Sequence, residues 1–359
     1  MNEKAYYPAL TGFRAVAAYM VYLHHYNGDR FGHWLSLLFN EFRVGVPLFF
    51  VLSGFLITLR YHGQFSLSWQ WLRIYFVNRL ARIYPSYFLV TTLVFVASFA
   101  QMGYFSWKVY LLNISFLRGF FQDYKWTGIA QGWSITVEET FYFLAPLIFV
   151  SLCKISIWIQ ALMLIVFGIV LVQIGQQLNF HGFFGNYDFL FTHTFFGRCT
   201  EFFIGIQFAL WFKSSKIQAI KQRYFSNYWT LIGVLGTALC FAFFAYNKFQ
   251  NPDIASGYRT PLGLLVNASV LPIMVAILLI GLITERNWLV SLLSSTLFQH
   301  LGQSSYAFYL IHMGILWNIV HALSGGMYFI DFLGILGLSF LMYKFIEQPY
   351  FSWTKQKFQ

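Results

Sequence analysis

The chain has 359 residues, of which 58% are hydrophobic and only 10% charged, with 44 Phe, 23 Tyr and 12 Trp. A soluble globular domain is about 25% charged, so this stock excludes a water-soluble surface and, with it, the secreted-disulfide and disordered classes. The net charge of +11 comes without a dense basic run, so it reads as basic flanks on membrane spans and not as a nucleic-acid footprint.

The predicted fold class is therefore all-α, a polytopic membrane helix bundle, since ten-residue alternating strand patterns are absent. The N-terminal MNEKAYYPAL leads into a segment with no small-x-small cleavage site, so the first apolar segment is expected to stay as a helix. Spans are predicted near 9–27, 43–61, 84–101, 134–152, 155–173, 195–212, 228–247, 263–283, 303–323 and 328–346. An eleventh apolar segment, 107–119, offers roughly 20 Å of helix against a hydrocarbon core of about 30 Å and reads as re-entrant or surface-bound. With ten spans and a cytoplasmic start, twice as many basic residues fall inside as outside, and the four in KSSKIQAIKQR at 213–223 fall inside. Letting 107–119 span would put that loop outside, which the positive-inside rule disfavours. The expectation is one membrane domain over 1–359, both termini cytoplasmic, with no appended soluble domain. Cys153, Cys199 and Cys240 lie far apart in or beside apolar runs and read as core filling, with no metal-ligand spacing.

Ionisable groups within a bilayer cost about 2.5 to 3.5 kcal/mol each on insertion scales, so each is a functional candidate until a partner explains it. Arg14 and His25 lie eleven residues apart on the first helix, about 16 Å along the axis and on one face. His25 reads either as an interfacial histidine beside His24 or as a general base. The segment QGWSITVEETFYF brings Glu138 and Glu139 in one turn below Trp133 and Ser134. A carboxylate facing an imidazole raises its basicity, although two helix-terminal carboxylates favoured by the macrodipole are the plainer alternative. Arg198 and Glu201, at i and i+3, can pair as structural glue. His312 sits well inside its segment with no acid near it in sequence, open to either packing or function. In NRLARIYPSY, Arg79 and Arg82 share a face just before the third span, either as a bidentate phosphate clamp or as an ordinary basic flank. Gly45, Ser53 and Gly54 permit close helix approach.

Six segments, LTGFRAVAAYMVYLHHY, GVPLFFVLSGFLIT, RLARIYPSYF, WSITVEETFYF, GRCTEFFIGI and SSYAFYLIHMGI, resemble in order and spacing the integral-membrane acyltransferase 3 family. The resemblance runs from about residue 6 to about 350. The family's Arg-x10-His pattern falls on Arg14 and His25, and its Arg-x-x-Arg on Arg79 and Arg82. Its Phe-Phe-x-x-Ser-Gly-Phe falls on Phe49 to Phe55, with Ser53 inside it, and its Trp-Ser-x-x-x-Glu on Trp133, Ser134 and Glu138. The resemblance implies an O-acyltransferase of the bacterial inner membrane. It would move an acyl group, usually acetyl, from cytoplasmic acyl-coenzyme A to a hydroxyl of a carbohydrate or lipid-linked glycan. Acyl-coenzyme A is then a cosubstrate, no bound cofactor or metal is expected, and the partners are the acceptor and the surrounding lipids. On this reading His25, oriented by Glu138, is the base, Arg14 lies on the donor path, Arg79 and Arg82 hold its phosphates, and Ser53 or Trp133 assists the oxyanion. The rival is a proton-coupled secondary transporter or flippase, which would also bury His and Glu among its helices.

Overall fold

The structure, a computed structural model, describes residues 6–26, 32–214 and 228–358. Lys4, Arg30, Lys216, Lys221 and Arg223, all counted in the charge balance, lie outside the described residues, as does most of the 213–223 loop. Within the described residues the chain is helical throughout, and its one isolated antiparallel bridge joins Phe121 and Phe183.

Helix α1, Pro8–Tyr26, is followed by the short α2, His33–Asn40, and by α3, Gly45–Tyr61. Next come α4, Trp69–Met102, and α5, Trp107–Ile114, then α6, Gly132–Ser151, and α7, Ile157–Leu178. The short α8, Tyr187–His193, precedes α9, Phe195–Lys213, and α10, Trp229–Gln250. One-turn α11, Pro261–Leu265, runs through a π-helical turn into α12, Leu271–Thr284, and α13, Trp288–Leu293, follows. Helices α14, Thr296–Ile311, α15, Ile315–Leu323, α16, Tyr328–Met342, and α17, Gln348–Phe358, complete the chain.

Among the described residues seven helical stretches are long and apolar enough to cross a membrane, and eight if α14 and α15 count as one span. In lipid every backbone polar group must be satisfied internally, which is why the apolar sequence resolves into helices. Helices α1 and α9, at 19 residues each, have the length but not the hydropathy, because they carry Arg14, His24, His25, Arg198 and Glu201. The 107–119 segment is the eight-residue α5 followed by a 3-10 turn at Leu117–Phe120, too short to cross. The predicted 303–323 span is broken instead of straight: α14 and α15 meet at 99°. Gly314 at the break has φ 83° and ψ −151°, a conformation essentially reserved for glycine. The predicted 84–101 span also differs, since its helix begins at Trp69 and runs 34 residues, about 51 Å at 1.5 Å per residue.

The chain forms two compact units. The first comprises residues 1–63 and 200–303. Here α3 and the distal part of α9 cross with almost no side-chain spacer. A Cβ on Gly54 would stand 2.1 Å from the Phe202 carbonyl oxygen, and one on Gly205 would stand 2.2 Å from that of Val51. Phe50 and Phe202 stack beside the crossing, ring centroids 4.7 Å apart. Gly45 meets α1 in the same way, 2.5 Å from the Ala17 oxygen. Gly45 and Gly54, two of the small residues singled out in the sequence, are thus points of backbone contact, as interhelical packing in lipid favours.

Two buried carboxylates serve this unit structurally. Glu41, fully buried, accepts from the Ser256 hydroxyl at 2.5 Å and the Gly257 amide at 2.9 Å, pinning the loop that follows α10. Glu285 accepts from the Trp229 and Thr230 amides at 2.6 and 3.1 Å, placing an anion where the first turn of α10 leaves its N–H groups unpaired.

The second unit comprises residues 64–199 and 304–359. It holds α4 to α8, the start of α9, the end of α14 and the helices after it, and most of the buried polar side chains considered next.

Candidate functional site

The first two turns of α6 place Trp133, Ser134 and Glu138 on three different tasks. The Ser134 hydroxyl donates to the Gln131 carbonyl at 2.9 Å and lies 2.7 Å from the Tyr309 hydroxyl. A serine has one proton to give, so Tyr309 is the donor in the second bond. The Gln131 side-chain amide donates to the carbonyls of Tyr309 and Leu310, at 3.0 and 2.7 Å. Those carbonyls end α14 at the helix break, where a helix leaves its last C=O groups without donors of its own. The Trp133 ring is flanked by the Arg198 guanidinium, 5.6 Å from its centroid, and by the edge of His193 at 4.9 Å.

One turn on, Glu138 accepts a hydrogen bond from the Tyr142 hydroxyl. Tyr75 donates to the Tyr142 carbonyl at 3.0 Å, and the Arg79 guanidinium sits 5.4 Å from the centre of the Tyr142 ring. Glu139 lies within electrostatic reach of both Arg79 and Glu138, and its Oε1 is buried without a hydrogen-bond partner. Arg79 is therefore a buried member of the carboxylate cluster, only 9% exposed. The sequence reads it as a phosphate clamp or a basic flank before the span, because the low hydropathy of WQWLRIYFVNRLAR hides the ten residues of helix that precede it. Arg82, one turn further, is half-buried.

Pro85, inside α4, cannot donate to the backbone four residues earlier. Close to it, Tyr306 donates to the Ile83 carbonyl and Ser86 donates to Glu347, both at 3.0 Å. Beneath the start of α6, Arg118 is fully buried and donates to the Ile129 carbonyl. Burial lowers its pKa while the Tyr87 hydroxyl acts the other way, and a guanidinium begins so high that it stays charged. A Cβ on Gly132 would stand 1.9 Å from this guanidinium, so glycine before Trp133 makes room for a buried cation.

The other sequence candidates lie on α1, α3 and α9 and at the helix break. Arg14 is half-buried on α1 in the first unit, and His25 is exposed in the last turn of that helix. The His25 ring lies 4.7 Å from His24 and 6.4 Å from Tyr26, with Arg43 in electrostatic range of both histidines. Ser53 is buried on α3, also in the first unit. Arg198 and Glu201 are both buried on α9 at i and i+3. His312 is fully buried at the helix break, and its Nδ1 lies 2.7 Å from the Tyr309 carbonyl, so that nitrogen carries the proton. Sequence reasoning missed Tyr142, Tyr309 and Gln131. Tyr142 was accessible from its i, i+4 spacing to Glu138, whereas Tyr309 meets Ser134 across 175 residues with no local signal.

Among the described residues no three His, Cys, Asp or Glu side chains converge as metal ligands. The polar groups gathered around α6 are instead hydroxyls, carboxylates and guanidiniums, suited to moving protons and holding oxyanions.

A family model described as an acyltransferase domain, acyltransferase 3, matches residues 7–344. A Staphylococcus aureus (strain COL) protein named "Putative O-acetyltransferase" is 23% identical over 377 residues, covering 97% of this chain and 58% of its own length. A Bacillus subtilis (strain 168) protein, "Putative peptidoglycan O-acetyltransferase YrhL", is 29% identical over 165 residues, 40% of this chain and 24% of that one. The "O-acetyltransferase OatA" of Staphylococcus aureus (strain NCTC 8325 / PS 47) is 29% identical over 161 residues, 41% and 25% respectively. The chain thus spans 58% of the length of the first of these relatives. No solved structure matches it.

Proposed function

The chain belongs to the acyltransferase 3 family of integral-membrane proteins, and on that premise we propose that it transfers an acyl group, in the first place acetyl, from cytoplasmic acyl-coenzyme A to a glycan hydroxyl. The acceptor is a carbohydrate or lipid-linked glycan on the outer side of the plasma membrane. A relative named for peptidoglycan O-acetylation makes an amino-sugar polymer the first acceptor to try. The observation that carries the reading is the cluster between α4 and α6, where half-buried Glu138 and Glu139 meet buried Tyr142 and Arg79 within one helical unit. Such groups are costly in lipid and are kept where they serve chemistry.

In the proposed reaction, His25 removes the proton from the acceptor hydroxyl, with Glu138 orienting it and stabilising the imidazolium. The hydroxyl oxygen attacks the thioester carbonyl, and the resulting oxyanion is met by hydroxyl or indole donors of the Ser53, Ser134 and Trp133 kind. Collapse breaks the carbon–sulfur bond, and the coenzyme A thiolate takes the proton from His25, leaving ester and free thiol. Arg82 contacts the donor phosphates, Arg79 assists from its place beside Glu139, and Arg14 lines the path of the pantetheine arm. Arg198, Glu201 and His312 support the surrounding helices. His25→Ala should lower acetyl transfer in membranes by at least about 100-fold, the lower range of general-base catalysis. Full activity in that variant would remove His25 from the mechanism.

One observation favours the transporter or flippase reading: the helix broken at Met313 and Gly314 beside buried His312, since discontinuous helices frame many transport sites. Purified protein in detergent separates the two. A transferase consumes acetyl-coenzyme A and labels an acceptor, and a transporter does neither.

A further inference from the structure

A second polar site lies in the same unit, away from the carboxylates of α6. The end of α7, the segment between α7 and α8 and the turn at Gln122–Tyr124 line an open cavity of about 580 Å³ whose lining includes Gln122, Asp123, Gln176, Asn179, His181 and Asn186, most of them exposed. Its volume falls in the range of small-molecule sites, but amides, a carboxylate and an imidazole take the place of the usual apolar wall. The protein does not consume these groups. Among the described residues the side chains of Asp123, Gln176 and Asn179 make no hydrogen bond, while Gln122 accepts from Asn186 at 3.0 Å and keeps its own amide hydrogens.

The cavity is held open by backbone in unusual conformations. Asn179, His181 and Phe184 all have positive φ, at 44°, 50° and 42°, and Gly182 joins them at 64°. Three non-glycine residues in the left-handed region within six positions is strain of the sort that functional loops retain. It is secured by the Gln122 amide donating to the Gly182 carbonyl at 2.8 Å and the Phe184 amide to that of Phe120 at 3.0 Å. A Cβ at Gly182 would stand 2.8 Å from the Asp123 carboxylate, and one at Gly185 would stand 2.6 Å from Oε1 of Gln122, so both glycines keep the floor clear. Lys108 Nζ lies 2.7 Å from Nε2 of His181. An ammonium can only donate, so Nε2 is the acceptor, and Nδ1 carries the proton as a further donor. Tyr124 and Phe180 pack on the His181 ring, at 5.3 and 4.6 Å, and give the rim apolar faces.

We propose that this cavity binds the acceptor as a short stretch of neutral glycan, a di- or trisaccharide unit of the polymer. Side-chain amides and a carboxylate supply the mixed donors and acceptors that vicinal hydroxyls and N-acetyl groups require, and the aromatic rim offers faces for sugar C–H surfaces. The route onward is short. Asn186 caps the N-terminus of α8 through the Phe189 amide at 2.8 Å, and the last residue of that helix, His193, lies against Trp133. Seven residues of helix, about 10 Å, therefore separate the cavity from the Trp-Ser-x-x-x-Glu residues. A chain held in the cavity extends its next sugar toward Trp133 and Arg198. This site rests on the acyl-transfer reading for its acceptor but is testable without it.

The test uses full-length protein in detergent, neutral N-acetylglucosamine oligomers as the probe, and the variants Gln176→Ala and Asp123→Ala/Gln176→Ala, both on exposed positions. Calorimetric binding of the oligomer should weaken at least tenfold in the double variant. In turnover, the acceptor KM should rise by a similar factor while kcat and the acetyl-coenzyme A KM stay put. Unchanged oligomer binding, or no binding by the unaltered protein, overturns the glycan site, whatever the activity. Loss of binding in a protein whose unaltered form transfers no acetyl group keeps the site and rejects the transferase reading instead.

Discussion

At the residue scale, the conspicuous feature is the pair of adjacent carboxylates on α6. Tyr142 gives its only proton to Glu138, and Glu139 has one buried oxygen unpaired beside Arg79. A charge-assisted hydrogen bond contributes about 1.5 to 3 kcal/mol. Tyr142→Phe should therefore lower kcat roughly ten- to a hundredfold if the bond positions Glu138 during reaction, with expression and monodispersity unchanged. A variant with full kcat would make the bond structural only. Gly54 presents the opposite case, a residue valued for what it lacks. Its Cβ would meet the backbone oxygen of Phe202, which cannot move without shifting α9. Gly54→Ala should cost about 1 to 3 kcal/mol of stability, as overpacking generally does, seen as a lowered thermal midpoint in detergent.

At the level of elements, apolar length and helix were read from the sequence with ease, and helix continuity was not. The segments 155–173, 228–247 and 263–283 coincide closely with Ile157–Leu178, Trp229–Gln250 and Pro261–Thr284 because uninterrupted apolar runs leave helix as the only solution in lipid. The break between α14 and α15 escaped notice because SSYAFYLIHMGIL is apolar on both sides of it, and what stabilises the bend comes from elsewhere in the chain. Gln131 satisfies two carbonyls there, and Gly314 supplies the backbone geometry. The same limit applies to the site. The Arg-x-x-Arg and Trp-Ser-x-x-x-Glu residues were visible as motifs, but the approach of Arg79 to Tyr142 depends on where α4 begins, which hydropathy does not mark. A substitution isolates the bend. A Cβ at Gly314 meets nothing within 4 Å, so Gly314→Ala imposes backbone strain alone, about 1 to 3 kcal/mol. Gly337→Ala, equally uncrowded but with ordinary helical backbone within α16, should cost nothing. Equal thermal midpoints for the two variants would remove the special role of the bend.

For the whole molecule, scarcity of charge is the governing constraint, and it leads to a topology that can be checked with the native cysteines. The ten-span reading of the basic residues predicts the N-terminus and the turn after α6 on the cytoplasmic side and the segments around Lys108 and His181 on the outer side. Of the three cysteines, Cys153 is exposed just past the end of α6, while Cys199 and Cys240 are buried. A membrane-impermeant maleimide applied to intact cells should therefore leave the protein unlabelled, and permeabilised cells should give a single label that Cys153→Ser abolishes. Asp123→Cys, introduced into that Cys153→Ser background, should be labelled in intact cells. Labelling of Cys153 from outside would invert the orientation. The cavity near Asp123 would then face the cytoplasm, where an acyl-coenzyme A donor is available and a surface glycan is not, and both the direction of transfer and the identity of the bound acceptor would have to be reassigned together.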